Sequence, residues 1–161
     1  MTLYHGRNVV VCEPAILETQ RFLDFGSGFY TTSNQQQAER WASIKAKRQI
    51  NHSKGFVSLF NFDEGILKSD IYQVKIFTSA NEEWLDFIFN HRKGLAKHTF
   101  DIVTGPVAND YLYATLSLYE ADILSKTETI ERLKSHILFD QISFHSNAAL
   151  KELKYFQYYE V

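Results

Sequence analysis

Three serine-led boxes punctuate the chain: Ser33-Asn34-Gln35-Gln36, Ser79-Ala80-Asn81-Glu82 and Ser125-Lys126-Thr127-Glu128. A serine followed three residues later by Glu or Gln satisfies two orphan N–H groups reciprocally, so each box predicts a helix start. The first helix is expected to run to about Gln49, with Ala38, Trp41, Ala42 and Ile44 near helical spacing. The second passes through Trp84, Leu85, Phe87 and Ile88 to about Arg92, and the third ends near His136. Around them lie short runs that read as strands: Thr2 to His5 ending at Gly6, Phe56 to Phe62, and Ile71 to Phe77. Three more follow, Phe100 to Thr104 closed by Gly105-Pro106, Gln141 to His145, and a final "KYFQYY". Further helices are expected over Asp110 to Ala121, from about Asn147 to Leu153, and within the loop that runs to about Gln20. Strands and helices do not alternate regularly, which argues for an α+β fold rather than a doubly wound sheet. No repeat or Pro- or Gly-rich linker divides the 161 residues, so residues 1–161 read as one domain.

Composition narrows the function. Apolar residues make up 45% of the chain and aromatics 15%, enough to bury a core. The formal net charge of −2 gives no electrostatic footprint for tight duplex binding, and the basic group Lys45, Lys47 and Arg48 reads as a solvated helix face. A lone cysteine, Cys12, excludes an internal disulfide and favours a reducing compartment; after Val9-Val10-Val11 it reads as a small buried residue. No signal peptide and no apolar run long enough to span a bilayer is evident, so a cytoplasmic location without membrane association is expected. The six histidines, His5, His52, His91, His98, His136 and His145, form no metal-ligand spacing, so no metal is expected.

The segment Leu23-Asp24-Phe25-Gly26-Ser27-Gly28-Phe29-Tyr30-Thr31-Thr32 contains a D-F-G tripeptide. A kinase needs an upstream strand lysine and an H-R-D motif, but the nearest match is the downstream His91-Arg92-Lys93. No phosphate-loop or dinucleotide glycine spacing occurs either. Asp24 therefore reads as a turn or cap group.

Three separated pieces carry another pattern: Leu3-Tyr4-His5-Gly6, Gly26-Ser27-Gly28-Phe29-Tyr30-Thr31-Thr32 and Asp140-Gln141-Ile142-Ser143-Phe144-His145. In this order they resemble the ADP-ribosyltransferase superfamily, which places His, Tyr and usually Glu on three strands. Nearly the whole chain resembles a family of small bacterial proteins of that fold, Glu83 to Ile88 and Asp101 to Asp110 included. The resemblance implies a split mixed or antiparallel sheet with flanking helices. It implies NAD as substrate, His5, Tyr30 and Gln141 as catalytic residues, and His5, Gly6, Arg7, Gly28, Tyr30 and Thr31 as the NAD-binding set. His5 would bond a ribose hydroxyl, the Gly6 backbone the nicotinamide carboxamide, and Tyr30 would stack on the ring. Arg7 would meet the pyrophosphate.

Strand alternation sets Gln141, Ser143 and His145 on one face and turns Ile142 and Phe144 into the core. Gln141 stands where relatives often carry glutamate and brings no negative charge to a developing ribosyl cation. Asp140 points to the opposite face. Glu83 and Ser143 are accessory candidates, and Glu82 reads as a capping-box partner. The activity implied is mono-ADP-ribosyl transfer to a protein or nucleic acid, in a bacterial toxin, effector or toxin–antitoxin setting with an antitoxin protein as partner. NAD hydrolysis and non-catalytic NAD binding are the alternatives.

Overall fold

The computed structural model describes residues 1–17, 23–48, 54–107, 110–134 and 139–161, and of residues 110–113 and 134 the backbone only. The helix ends expected at Gln49 and His136, the loop helix where it nears Gln20, and residues His52, Ala108 and Asn109 lie outside the described residues. Residues 8–17 carry no helix. The fold is α+β, built on two open sheets.

The first sheet has the order β1 (Thr2–Arg7), β3 (Phe56–Asn61), β7 (Lys154–Glu160), all antiparallel. The second has the order β2 (Phe29–Thr31), β6 (Asp140–Phe144), β5 (Ile102–Pro106), β4 (Val74–Ile76), antiparallel except for the parallel β4–β5 pair. One isolated bridge, Tyr4 to Thr32, joins them.

Side-chain alternation sorts the core into three layers. Leu3 and Phe60 of the first sheet face Phe29, Ile102, Ile142 and Phe144 of the second, forming an apolar layer between the sheets. Tyr4, Val57 and Leu59 point the other way, against Ala38 and Ala42 of α1 (Gln35–Lys47). On the far side of the second sheet, Val103 and Phe25 pack against three helices. These are α2 (Glu82–Arg92) through Trp84, Leu85 and Ile88, α3 (Asp110–Glu120) through Leu116, and α4 (Lys126–Lys134) through Ile130 and Leu133. A short helix, α5 (Asn147–Leu150), leads into β7.

Several sequence expectations are corrected here. The caps of α1 and α2 are Asn34 and Asn81, not the serines of the boxes; their side chains accept from Gln37 N and Trp84 N, each at 2.9 Å. Asparagine caps as well as serine does, and the Ser33 hydroxyl is committed to Asp140 Oδ1 at 2.8 Å. Glu82 is thus not a capping partner. The third box forms as read, Ser125 N donating to Glu128 Oε2 at 2.8 Å. The strand expected from Ile71 shrinks to Val74–Ile76, because Ile71 is 74% exposed and only the later residues pair with β5. β5 in turn takes in Gly105 and Pro106, opposite Gln141 and Asp140. Cys12 is exposed, not buried. Val11 packs into the layer between the sheets, its N–H held by Ser58 Oγ at 2.9 Å, and the chain then turns outward. No helix among the described residues is long and apolar enough to cross a membrane.

Gly6 is fixed by packing. A Cβ there would meet Ala38 O at 1.9 Å, inside the backbone of α1. Gly6→Ala is expected to lower stability by about 3 kcal/mol or more, read as a fall in thermal midpoint, because helix backbone cannot yield as a side chain does.

Candidate functional site

The two sheets separate just beyond the Tyr4–Thr32 bridge. Tyr4 and Thr32 exchange backbone bonds at 2.9 and 3.0 Å. Antiparallel alternation makes Gly6 and Tyr30 the next pair in line, but there the ladder stops and a side chain takes over. His5 Nδ1–H donates to Tyr30 O at 2.7 Å. The same alternation turns the Gly6 N–H and C=O toward this fork, away from β3.

The His5 ring lies on Phe29, with centroids 4.3 Å apart and planes 23° from parallel. Its Nε2 is cut off from solvent and has no hydrogen-bond partner among the described residues. Burial drives the His5 pKa down to about 4, against the pull of the Tyr30 carbonyl, and the cations Arg7 and Lys45 add to the fall. The imidazole is therefore neutral near pH 7, with a bare acceptor at Nε2.

The segment before Tyr30 is a turn held from all sides. Gly26 N donates to Leu23 O at 3.0 Å, and Gly26 takes a φ of 84°, which favours glycine. The Tyr30 hydroxyl accepts from Phe25 N at 3.0 Å and donates to Gly26 O at 2.6 Å. His98 Nε2–H donates to Phe25 O at 2.7 Å while its Nδ1 accepts from Phe100 N at 3.1 Å. His145 Nδ1–H donates to Ser27 O at 2.7 Å, and its Nε2 faces Ser143 Oγ at 2.8 Å. The His98 and His145 rings meet edge-on at 4.5 Å, and His91 stands 5.2 Å from His98. Burial lowers the pKa of both His98 and His145, the latter to about 4, and repulsion between neighbouring imidazoles adds to it. Phe25 is fully buried among the core aromatics.

Gln141 and Tyr30 lie on the same face of neighbouring strands, since Tyr30 pairs with Ser143. Gln141 is 3% exposed. Its Nε2 lies 3.4 Å from both Asp24 Oδ2 and Pro106 O. Asp24 is also buried, and its Oδ1 stands 3.7 Å from an Arg92 nitrogen. It is more than the local turn group expected.

The structure thus brings β1, β2 and β6 together, with Gly6 and Gly28 at their junction, but on two faces: the His5 ring lies on Phe29 and meets Tyr30 only at its backbone carbonyl, while the Tyr30 and Gln141 side chains share the other face of the second sheet. A Cβ on Gly28 would meet His145 Nδ1 at 2.7 Å, so this glycine admits the clamping ring. Arg7 ends β1 opposite Phe56. Three expectations change. Thr31 is fully buried and its hydroxyl donates to Ile142 O at 2.8 Å, so it is spent inside the sheet. Ser143 is fully buried between Val103 O at 3.1 Å and His145. Glu83 is exposed at the opposite edge of the second sheet, ion-paired with Lys75 of β4, and does not reach the junction. Asp24, Arg92 and His98 are the residues that sequence reasoning missed as site neighbours; the only signal was the D-F-G tripeptide. No cluster of His, Cys, Asp or Glu fit to hold a metal occurs among the described residues.

Chemically, the junction offers a neutral imidazole acceptor, a backbone donor–acceptor pair, a phenol ring and a primary amide. The chain belongs to a family described as a protein of unknown function, DUF3990, whose profile matches residues 1–155. No curated protein and no solved structure matches it.

The lowered histidine pKa values carry a pH dependence. In the unfolded chain each ring binds a proton below its ordinary 6.5, while folded His5 and His145 do so only near 4. Stability is therefore complete above pH 6.5 and is lost as pH falls toward 4, by up to about 3 kcal/mol for each ring. Thermal denaturation from pH 7 to pH 4.5 should show the fall, with a shallower slope in His145→Asn.

Proposed function

We propose that the chain is an NAD-dependent mono-ADP-ribosyltransferase. The observation that carries this reading is the fork itself: a buried His5 Nε2, unpartnered among the described residues, beside a Gly6 N–H and C=O turned away from β3, next to the strand that bears Tyr30. A nicotinamide carboxamide has one donor and one acceptor to match a backbone pair, and a ribose hydroxyl matches a neutral imidazole acceptor. The ordered likeness of the three segments to ADP-ribosyltransferases supports the same assignment.

In this reading the C1′–N bond of the nicotinamide riboside breaks. Its electron pair neutralises the pyridinium nitrogen, leaving a ribosyl cation. A nucleophile on a protein or nucleic acid adds at C1′ and gives up its proton to solvent. His5, Gly6 and Tyr30 hold NAD in place, a positional contribution, and Gln141 accepts from a ribose hydroxyl. Arg7 lies at the end of β1 for the pyrophosphate. The setting is a bacterial cytoplasmic toxin or effector, with an antitoxin as the natural inhibitory partner. Non-catalytic NAD binding is favoured by one observation, that Gln141 carries no charge.

Incubation with NAD labelled on the adenylate and with cell extract tests the reading. Label on macromolecules is the expected result. Free ADP-ribose alone means hydrolysis, and a raised thermal midpoint with neither product means binding only. His5→Gln, Tyr30→Leu and Gln141→Ala should each cut turnover about 100-fold or more with the fold retained. Three fully active variants would overturn the site.

A further inference from the structure

The D-F-G turn delivers a carboxylate to the uncharged amide of Gln141. Gln141 Nε2 lies 3.4 Å from Asp24 Oδ2 and 3.4 Å from Pro106 O. A carboxylate and a carbonyl are both acceptors, so the amide can place only its NH2 there. No hydrogen bond to its Oε1 is formed among the described residues. We propose that Asp24 is a positioning residue that locks the Gln141 amide with NH2 inward, so that a ligand meets the oxygen. This rests on the ADP-ribosyltransferase reading only in taking a ribose hydroxyl as that ligand. Glutamine presented this way accepts a hydroxyl hydrogen bond as glutamate would, and the Asp24 charge stands directly behind it.

The lock is held in turn. Asp24 uses one oxygen toward Gln141 and the other toward Arg92, at 3.7 Å, while Arg92 Nε stands 3.8 Å from Glu120. The Tyr30 hydroxyl fixes the next residue through Phe25 N at 3.0 Å. Stacking residue and amide are thereby set by one turn. Asp24→Asn has a single oxygen for two donors. Arg92, being charged, takes it, and the new NH2 then faces the NH2 of Gln141.

The test uses the full chain and the variants D24N, Q141E and D24N/Q141E. The Gln141 side-chain NH2 signals, identified by their absence from Q141E, should exchange slowly with solvent in the wild type. In D24N they should shift and exchange about tenfold faster or more. Turnover of NAD should fall between about 10- and 100-fold in D24N with KM changed less than about threefold. D24N/Q141E should recover most of that loss, because a carboxylate acceptor is restored with a donor behind it. Q141E alone sets two carboxylates together near Arg92, so its activity should climb with pH across the range where the wild type is flat; this variant decides the matter even if D24N does not fold. Unmoved Gln141 signals in D24N, an unrecovered double variant, or a Q141E profile parallel to the wild type would each overturn the proposal. If the wild type consumes no NAD, the enzymatic reading fails, while the amide signals still decide the orientation.

Discussion

One hydrogen bond, from His5 Nδ1 to the Tyr30 carbonyl, stands where a strand ladder would otherwise continue. Without it β1 and β2 would have every reason to zip onward from the Tyr4–Thr32 bridge, since antiparallel pairing satisfies both backbones. The imidazole satisfies the Tyr30 carbonyl instead, and its ring covers Phe29. The two sheets can then diverge around the apolar layer of Leu3, Phe60, Ile142 and Phe144. The neutral state of His5, set by burial, is what leaves one ring nitrogen to donate and the other bare.

The turn from Leu23 to Tyr30 follows the same logic. Its carbonyls at Phe25, Gly26 and Ser27 point at His98, the Tyr30 hydroxyl and His145, not at a strand. A loop with fully buried Phe25 at its centre needs such partners, because an unpaired buried carbonyl costs about 1–3 kcal/mol. Neutral imidazoles suit the task. Each ring donates at one nitrogen, and at the other His98 accepts from Phe100 N while His145 faces the Ser143 hydroxyl.

Much of the fold was legible because it rests on local signals. The third capping box, the Arg92 end of α2 and the strands through Phe56 and Lys154 follow from caps and alternation. The caps of α1 and α2 moved by one and two residues because each box holds asparagine as well as serine, and local pattern does not rank them. Ile71 and Cys12 were misplaced for a shared reason: burial depends on which neighbouring element arrives, which apolar character alone does not state. Within the site, strand alternation put Gln141 and Ser143 on one face and Ile142 and Phe144 in the core, as the structure has it. Glu83 looked close to the chemistry and is held elsewhere by Lys75, a contact set by β4 pairing parallel to β5. Asp24 and Arg92 meet across a long stretch of chain, and no short motif announces such a meeting.

The strand order of the first sheet bears on how the chain reaches this state. β3 is flanked by β1, from the start of the sequence, and by β7, from its far end. Neither pairing closes through a hairpin, so both demand large loop closures before any reward, and topologies of this kind assemble slowly. During synthesis β1 and β3 emerge early, yet β3 keeps a raw edge until β7 arrives. For that interval the unfinished sheet is a target for chaperones and for mispairing with sister chains.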